Sequence, residues 1–192
     1  MLFFRLKKWY LKQKGYFCRV GEKWDNSNLS HENIHSYVDR VLEYETETRR
    51  NGQPTEEYIL ASSGEKINED LRSGTNDHKE ILEVFDKYKV KEDITTYRTV
   101  SPRIYKLMEK NAKNLNGVDL FELGILHTSL IKGYESREEG YKLRVKVKKG
   151  TPAFYVGNLT GEESHYYEVI VVNNLKLKII SIEDYYINCE VV

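Results

Sequence analysis

The chain has 192 residues, and its 30 Lys plus Arg balance 30 Asp plus Glu, so the formal net charge is +0 and a whole-protein basic footprint for nucleic acid is absent. Hydrophobic residues make up 40% and aromatics 12%, with fifteen tyrosines, which suits one domain with a real core and excludes a disordered chain. No apolar run approaches the roughly 18 to 20 residues of a membrane-spanning helix, and Cys18 and Cys189, near opposite ends, cannot build a disulfide framework or an unaided four-ligand zinc site.

Residues 1–24 carry Arg5, Lys7, Lys8, Lys12, Lys14, Arg19 and Lys23 against Glu22 alone. Residues 1–30 are taken as a basic N-terminal extension, whose opening MLFFRLKKWYLKQKGYF reads first as a helix covering the domain's own core. Peripheral contact with an anionic membrane or a partner is the second reading. Charges interrupt its apolar residues, so it is a poor secretory signal. From Ser30, a candidate N-cap, Ile34, Tyr37, Val38, Val41 and Leu42 recur at helical spacing, and the helix is expected to stop near Asn51-Gly52. TEEYILASSG predicts a short helix ending at Gly64, EKINEDLR another ending at Gly74, and Ile81, Leu82, Phe85 and Tyr88 a third over 77–89.

ITTYRTV at 94–100 is β-branched and aromatic and predicts the first strand. Ser101 followed by Pro102 opens a further helix to about Asn111. KLRVKVKKG then alternates, with Leu143, Val145 and Val147 on one face and Lys142, Arg144, Lys146 and Lys148 on a solvated one. Further strands are predicted at 167–172, 175–180 and 185–192. Helices first and antiparallel strands afterwards make an α+β domain, not a βαβ nucleotide fold, and neither a Walker loop nor GxGxxG is present.

Four segments in order carry more: INEDLR at 67–72, YRTV at 97–100, LGILHTSL at 123–130, and KVKKGTPAFYVGNLTGEESHYYEVIV at 146–171. Together they resemble the mono-ADP-ribosyltransferase exoenzymes of the Arg-Ser-Glu class, which include the binary actin-modifying toxins and the clostridial Rho-modifying exoenzymes. The resemblance runs from about residue 35 to the C-terminus and implies N-terminal helices packed on an antiparallel two-sheet β core, one transferase domain over 31–192. It implies NAD as co-substrate, no metal, and ADP-ribose transfer to a protein side chain. Arg98, the triplet His127-Thr128-Ser129 and Glu168 stand where the family has its strand Arg, its Ser-Thr-Ser and its catalytic Glu; Asn68 and Arg72 match its Ile-Asn-x-x-Leu-Arg helix.

The residue types suit that chemistry. Breaking the nicotinamide N-glycosidic bond builds positive charge on the ribose, which a carboxylate at Glu168 stabilises. Arg98 and Arg72 would meet the pyrophosphate with guanidinium forks. Thr128 and Ser129 are expected to brace Glu168 and Arg98 through their hydroxyls. Asn68 is assigned to the adenine side of NAD and His127 to the nicotinamide ribose, each against the blander reading of a solvated or packing residue. Arg137 falls where the family often closes a loop on nicotinamide, although a solvated turn is the simpler account there.

Three positions depart from the family pattern: Thr99 replaces a Gly, His127 the first Ser, and Tyr166 the Gln or Glu two residues before the catalytic Glu. Tyr166 and Glu163 are therefore the candidates for target recognition. The charge balance places a nucleic-acid acceptor behind a protein one. An NAD glycohydrolase without a protein target and a degenerate binding module of the same fold are the alternatives. Action in the cytoplasm of a host or target cell, phage-encoded or injected, is the expected setting, with secreted delivery the other route.

Overall fold

The structure, a computed structural model, describes residues 21–26, 28–30, 32–74, 78, 82–102, 118–122, 125–134, 141–157, 159, 167–171, 175–183 and 186–192. The apolar stripe after Ser30 forms helix α1, Ile34–Val41, with Ile34, Val38 and Val41 buried. Asn33, not Ser30, precedes it, and the Asn33 Oδ1 accepts the Ser30 backbone N–H at 2.8 Å. The helix ends well before Asn51-Gly52. Leu42 turns extended, and the chain then lies along an edge strand, where the Tyr155 N–H reaches the Glu43 carbonyl and Tyr44 bridges Tyr155. Asn51 (φ 52°) and Gly52 (φ 81°) both adopt the left-handed conformation and close a ribbon of β1, Arg49–Arg50, and β2, Gln53–Pro54. Asn-Gly is here a hairpin turn rather than a helix stop.

The two short helices predicted either side of Gly64 form one, α2, Glu56–Ser73, kinked at Ser63 (φ −121°, ψ 15°). Thr55 caps it by accepting the Tyr58 N–H, Glu56 and Glu57 occupy its first turn, and Gly74 at φ 82° ends it. Of the helix predicted over 77–89, the described part is a 3-10 turn, Glu83–Asp86, that buries Val84 and Phe85. It gives way to an extended chain because Lys89 bridges Pro152. Nearly all of the helix predicted after Ser101 lies outside the described residues. Among the described residues no helix is long and apolar enough to cross a membrane.

The remaining strands are β3 (Ile94–Val100), β4 (Val118–Glu122), β5 (Leu126–Ser129), β6 (Tyr141–Val147), β7 (Ala153–Tyr155), β8 (Glu168–Val171), β9 (Leu175–Glu183) and β10 (Tyr186–Val191). They hydrogen-bond in the order β4-β9-β10-β6-β3-β5-β8-β7. A single register pair, Tyr97 with Ser129, joins β3 to β5, so five strands and three strands form two halves that meet at one seam. The α+β class is as expected. The antiparallel expectation fails at one pair: β10 runs parallel to β6, because it returns from β9 as an antiparallel hairpin partner and inserts between β9 and β6.

Directly opposed residues share a face. Ile94, Leu143, Val145, Val147, Ile187 and Cys189 of the five-stranded half join Leu126, Val169, Val171, Ala153 and Tyr155 of the other half, with α1, in one buried cluster. A second cluster sets Leu60 and Ile67 of α2 against Ile125, Phe154 and Ile170, covering the other face of the three-stranded half.

Arg144 corrects the expectation of a solvated face. It is 2% exposed. Its Nε and Nη2 reach the two carboxylate oxygens of Asp25 at 2.6 and 3.0 Å, and its Nη1 reaches Glu183 Oε2 at 3.2 Å and Asn188 Oδ1 at 2.8 Å. Asp25 also accepts from Tyr97 Oη at 2.9 Å and Lys132 Nζ at 2.7 Å, and Glu183 accepts the Gly21 N–H at 2.9 Å. Residues 21–25, inside the stretch read as an extension, are thereby fastened to the sheet.

Candidate active site

The seam decides where the candidate residues stand. Tyr97 opposes Ser129 and Ser129 opposes Glu168, so one row crosses β3, β5 and β8. Arg98 follows Tyr97. At a strand spacing of about 4.8 Å, the backbones carrying Arg98 and Glu168 lie about 10 Å apart. Arg98 is half-buried and opposes Leu143 across β6.

Glu168 opens β8, half-buried. The residue before it, Tyr167, has φ 47°, a left-handed backbone that a bulky side chain rarely adopts. Both flanks hold this bend: the Leu130 N–H donates to the Tyr167 carbonyl at 3.0 Å and the Val156 N–H to the Glu168 carbonyl at 2.9 Å. The Tyr167 ring is buried edge-on against Tyr134, centroids 5.1 Å apart, and burial followed by its neighbour Tyr134 pushes its hydroxyl pKa up. The bend turns the chain into β8 at Glu168.

His127 lies beside that carboxylate, with Nδ1 2.5 Å from Glu168 Oε1. The hydroxyls expected to brace Glu168 and Arg98 act on backbone instead. Thr128 Oγ1 donates to the Val169 carbonyl at 2.9 Å; Ser129 Oγ donates to the Ile131 carbonyl at 3.1 Å and accepts the Ile131 N–H at 3.2 Å. Thr128 points to the face opposite His127, as strand alternation requires. Their bracing is of β5 against β8 and of the turn that leaves β5.

Asn68 is buried, and its Oδ1 accepts the Ile125 N–H at 2.5 Å, tying α2 to the chain entering β5. Its carbonyl oxygen is thus committed to protein, which leaves the amide nitrogen as the group able to reach a ligand. Arg72 stands four residues after Asn68 on α2. Tyr166, Glu163 and Arg137 lie outside the described residues.

Sequence reasoning did not assign Gly64 or Tyr167 to the site. A Cβ at Gly64 would lie 2.4 Å from Cε1 and 2.6 Å from Nε2 of His127. A glycine inside a helix was the available signal. A left-handed tyrosine has no signature in sequence.

The seam therefore carries an arginine on one strand and a carboxylate, met by an imidazole, two strands away, with Arg98 on the face opposite the Tyr97–Ser129–Glu168 row by strand alternation. A guanidinium and a carboxylate are the residue types that a dianionic pyrophosphate and a ribose gaining positive charge call for.

A family model described as ADP-ribosyltransferase exoenzyme matches residues 22–189. Among solved structures, the Clostridium limosum C3 exoenzyme is similar over 84% of this chain and 94% of its own, at 16% identity and TM-score 0.63. C3stau2 from S. aureus, solved with NAD, is similar over 90% and 94%, at 17% identity and TM-score 0.56. Plx2a, an ADP-ribosyltransferase toxin from Paenibacillus larvae, is similar over 98% and 95%, at 20% identity and TM-score 0.53. No curated protein matches this chain.

Proposed function

Because the chain belongs to the ADP-ribosyltransferase exoenzyme family and is a mono-ADP-ribosyltransferase with NAD as co-substrate, we propose that Glu168 and Arg98 carry the reaction at the β3–β5–β8 seam. NAD supplies the reactive bond, the N-glycosidic link whose cleavage leaves positive charge on the ribose. Glu168 places a carboxylate against that charge, in a half-buried position where an electrostatic contact is stronger than in bulk water. Arg98 binds the pyrophosphate with a planar fork that lysine cannot reproduce. Arg72 adds a second cation from α2. Asn68 contributes an amide N–H on the adenine side, and Thr128 and Ser129 keep the strand of Glu168 in register.

The observation that carries this reading is the register row from Tyr97 through Ser129 to Glu168, which brings residues far apart in sequence to one seam. We take residues 31–192 as one transferase domain, acting on a protein side chain in the cytoplasm of a target cell. Balanced charge speaks against a nucleic-acid acceptor. Tyr166 offers a hydrogen bond and a ring face but no negative charge, so the acceptor is not selected by a carboxylate two residues before Glu168; Glu163 is the nearby acid that could take that part.

Glu168→Gln tests the assignment. It keeps the size and removes the charge, so kcat should fall by about 100-fold or more while NAD affinity changes little. Near-normal turnover in Glu168→Gln, or no heat of NAD binding to the wild-type protein at millimolar concentration, would overturn it.

A further inference from the structure

We infer that His127, seated against Gly64 of α2, is a positioning residue whose Nδ1–H fixes the Glu168 carboxylate, so that the packing of α2 at Gly64 sets the catalytic geometry. The inference rests on the reading of Glu168 as the catalytic carboxylate. It begins with two contacts of one ring. On one side Nδ1 meets Glu168 Oε1 at 2.5 Å. On the other, the Cε1–Nε2 edge lies so close to Gly64 that a Cβ there would stand 2.4 Å from Cε1 and 2.6 Å from Nε2. Only glycine leaves room for the ring where it is.

The same packing chooses the tautomer. His127 Nε2 is buried and has no hydrogen-bond partner among the described residues. The described residues offer a proton on Nε2 no acceptor, whereas Nδ1 faces the Glu168 carboxylate. A ring with its proton on Nδ1 donates to the Glu168 carboxylate. Burial at one nitrogen thus turns the other into a fixed donor.

Helix α2 grips this strand at two places. Asn68 Oδ1 accepts the Ile125 N–H, and one turn earlier Gly64 abuts His127, two residues further along the chain. Ser63, with non-helical φ and ψ, makes the kink immediately before Gly64. A carboxylate that stabilises charge only in the transition state loses effect with small displacement, so a ring clamped between helix and glutamate is a positioning device.

Asparagine and glutamine separate this role from simple packing. The Asn amide nitrogen falls near the place of Nδ1 and the Gln nitrogen near that of Nε2. His127→Asn should keep kcat within about threefold of wild type, while His127→Gln and His127→Ala lose about tenfold or more, with NAD Kd nearly constant throughout. In the NAD-free protein, nitrogen NMR of labelled histidine should show His127 protonated on Nδ1. Gly64→Ala should lower both kcat and Tm, and adding His127→Ser should recover the Tm loss, because the clashing ring is gone. Equal behaviour of the Asn and Gln variants, a proton on Nε2, or a Gly64→Ala protein with unchanged kcat and Tm would each overturn the proposal. The tautomer and the Tm coupling are read without NAD. Failure of the Glu168 assignment, seen as an active Glu168→Gln, is therefore distinguishable from failure of the clamp.

Discussion

Replacing Arg144 with Met tests whether the buried network behind the seam supports the fold and, through Tyr97, the strand that carries Arg98. Arg144 is 2% exposed and makes two bonds to Asp25 and one each to Glu183 and Asn188. Its removal strands two carboxylates whose side chains are only 14% exposed. Breaking a buried pair by deleting one partner costs about 3–5 kcal/mol. Asp25 keeps Lys132 and Tyr97 as donors, which puts the expectation at the lower end, about 3 kcal/mol. For a chain of this size each kcal/mol moves Tm by about 2–4 °C, so the loss should be about 6–12 °C. Thermal melts by circular dichroism, with a urea titration in parallel, measure it. Lys146→Met is the control: its pair with Asp93, at 3.3 Å, is partly exposed and should contribute about 0–1 kcal/mol. A Tm loss in Arg144→Met no larger than in the control would refute the argument that this network is held by its charges.

Arg98→Lys should weaken NAD binding by about tenfold or more, read by calorimetry, because one ammonium cannot replace a bidentate fork; unchanged affinity would remove Arg98 from the pyrophosphate. Acid stability should report Asp25. Burial alone would push its carboxyl up, but the bonds from Lys132 and Tyr97 and the Arg144 charge together hold it below the usual carboxylate range. A depressed folded pKa gives stability that is present above the unfolded value, about 3.9, and lost as pH falls through the folded one, so urea midpoints should drop below about pH 4, and less steeply in Asp25→Asn. Mass spectrometry of the modified acceptor addresses target choice: an arginine adduct abolished by Glu163→Gln but indifferent to Tyr166→Phe means the loop acid has replaced the missing carboxylate, and an adduct on nucleic acid refutes the protein acceptor.

Local pattern predicted local structure well and pairing poorly. Alternation in 142–148 and the β-branched run at 94–100 mark strands because each strand's buried face must be apolar, whatever its neighbours are. The parallel β6–β10 pair carries no such mark, since a strand's own residues are the same beside either neighbour. Helix α1 was read too long for a related reason. Its stripe ends at Leu42, and the acidic stretch beyond has no apolar periodicity to oppose a helix. Only the partner strand β7 shows why the chain there extends. Arg144 reads as solvated because it alternates with Lys142 and Lys146; its burial comes with Asp25, which lies in the stretch read as an N-terminal extension.

The site divides along the same line. Arg98 and Glu168 stand out in the sequence because the chemistry demands a guanidinium and a carboxylate, and both lie in the segments that carry the resemblance. Asn68, Thr128 and Ser129 were found but given ligand or side-chain roles, whereas their described bonds go to backbone, since polarity at a spacing does not reveal which polar partner is nearest. His127 looked like a flaw in a Ser-Thr-Ser triplet, and Gly64 like the end of a helix. Each departure is explained only by the other: an imidazole fits beside Glu168 if the helix above it has no side chain at that point, and a mid-helix glycine is tolerable if a ring occupies the space its side chain would fill. Two residues that each weaken a local pattern, and that meet at the Glu168 carboxylate, are more economically read as one device than as two accidents.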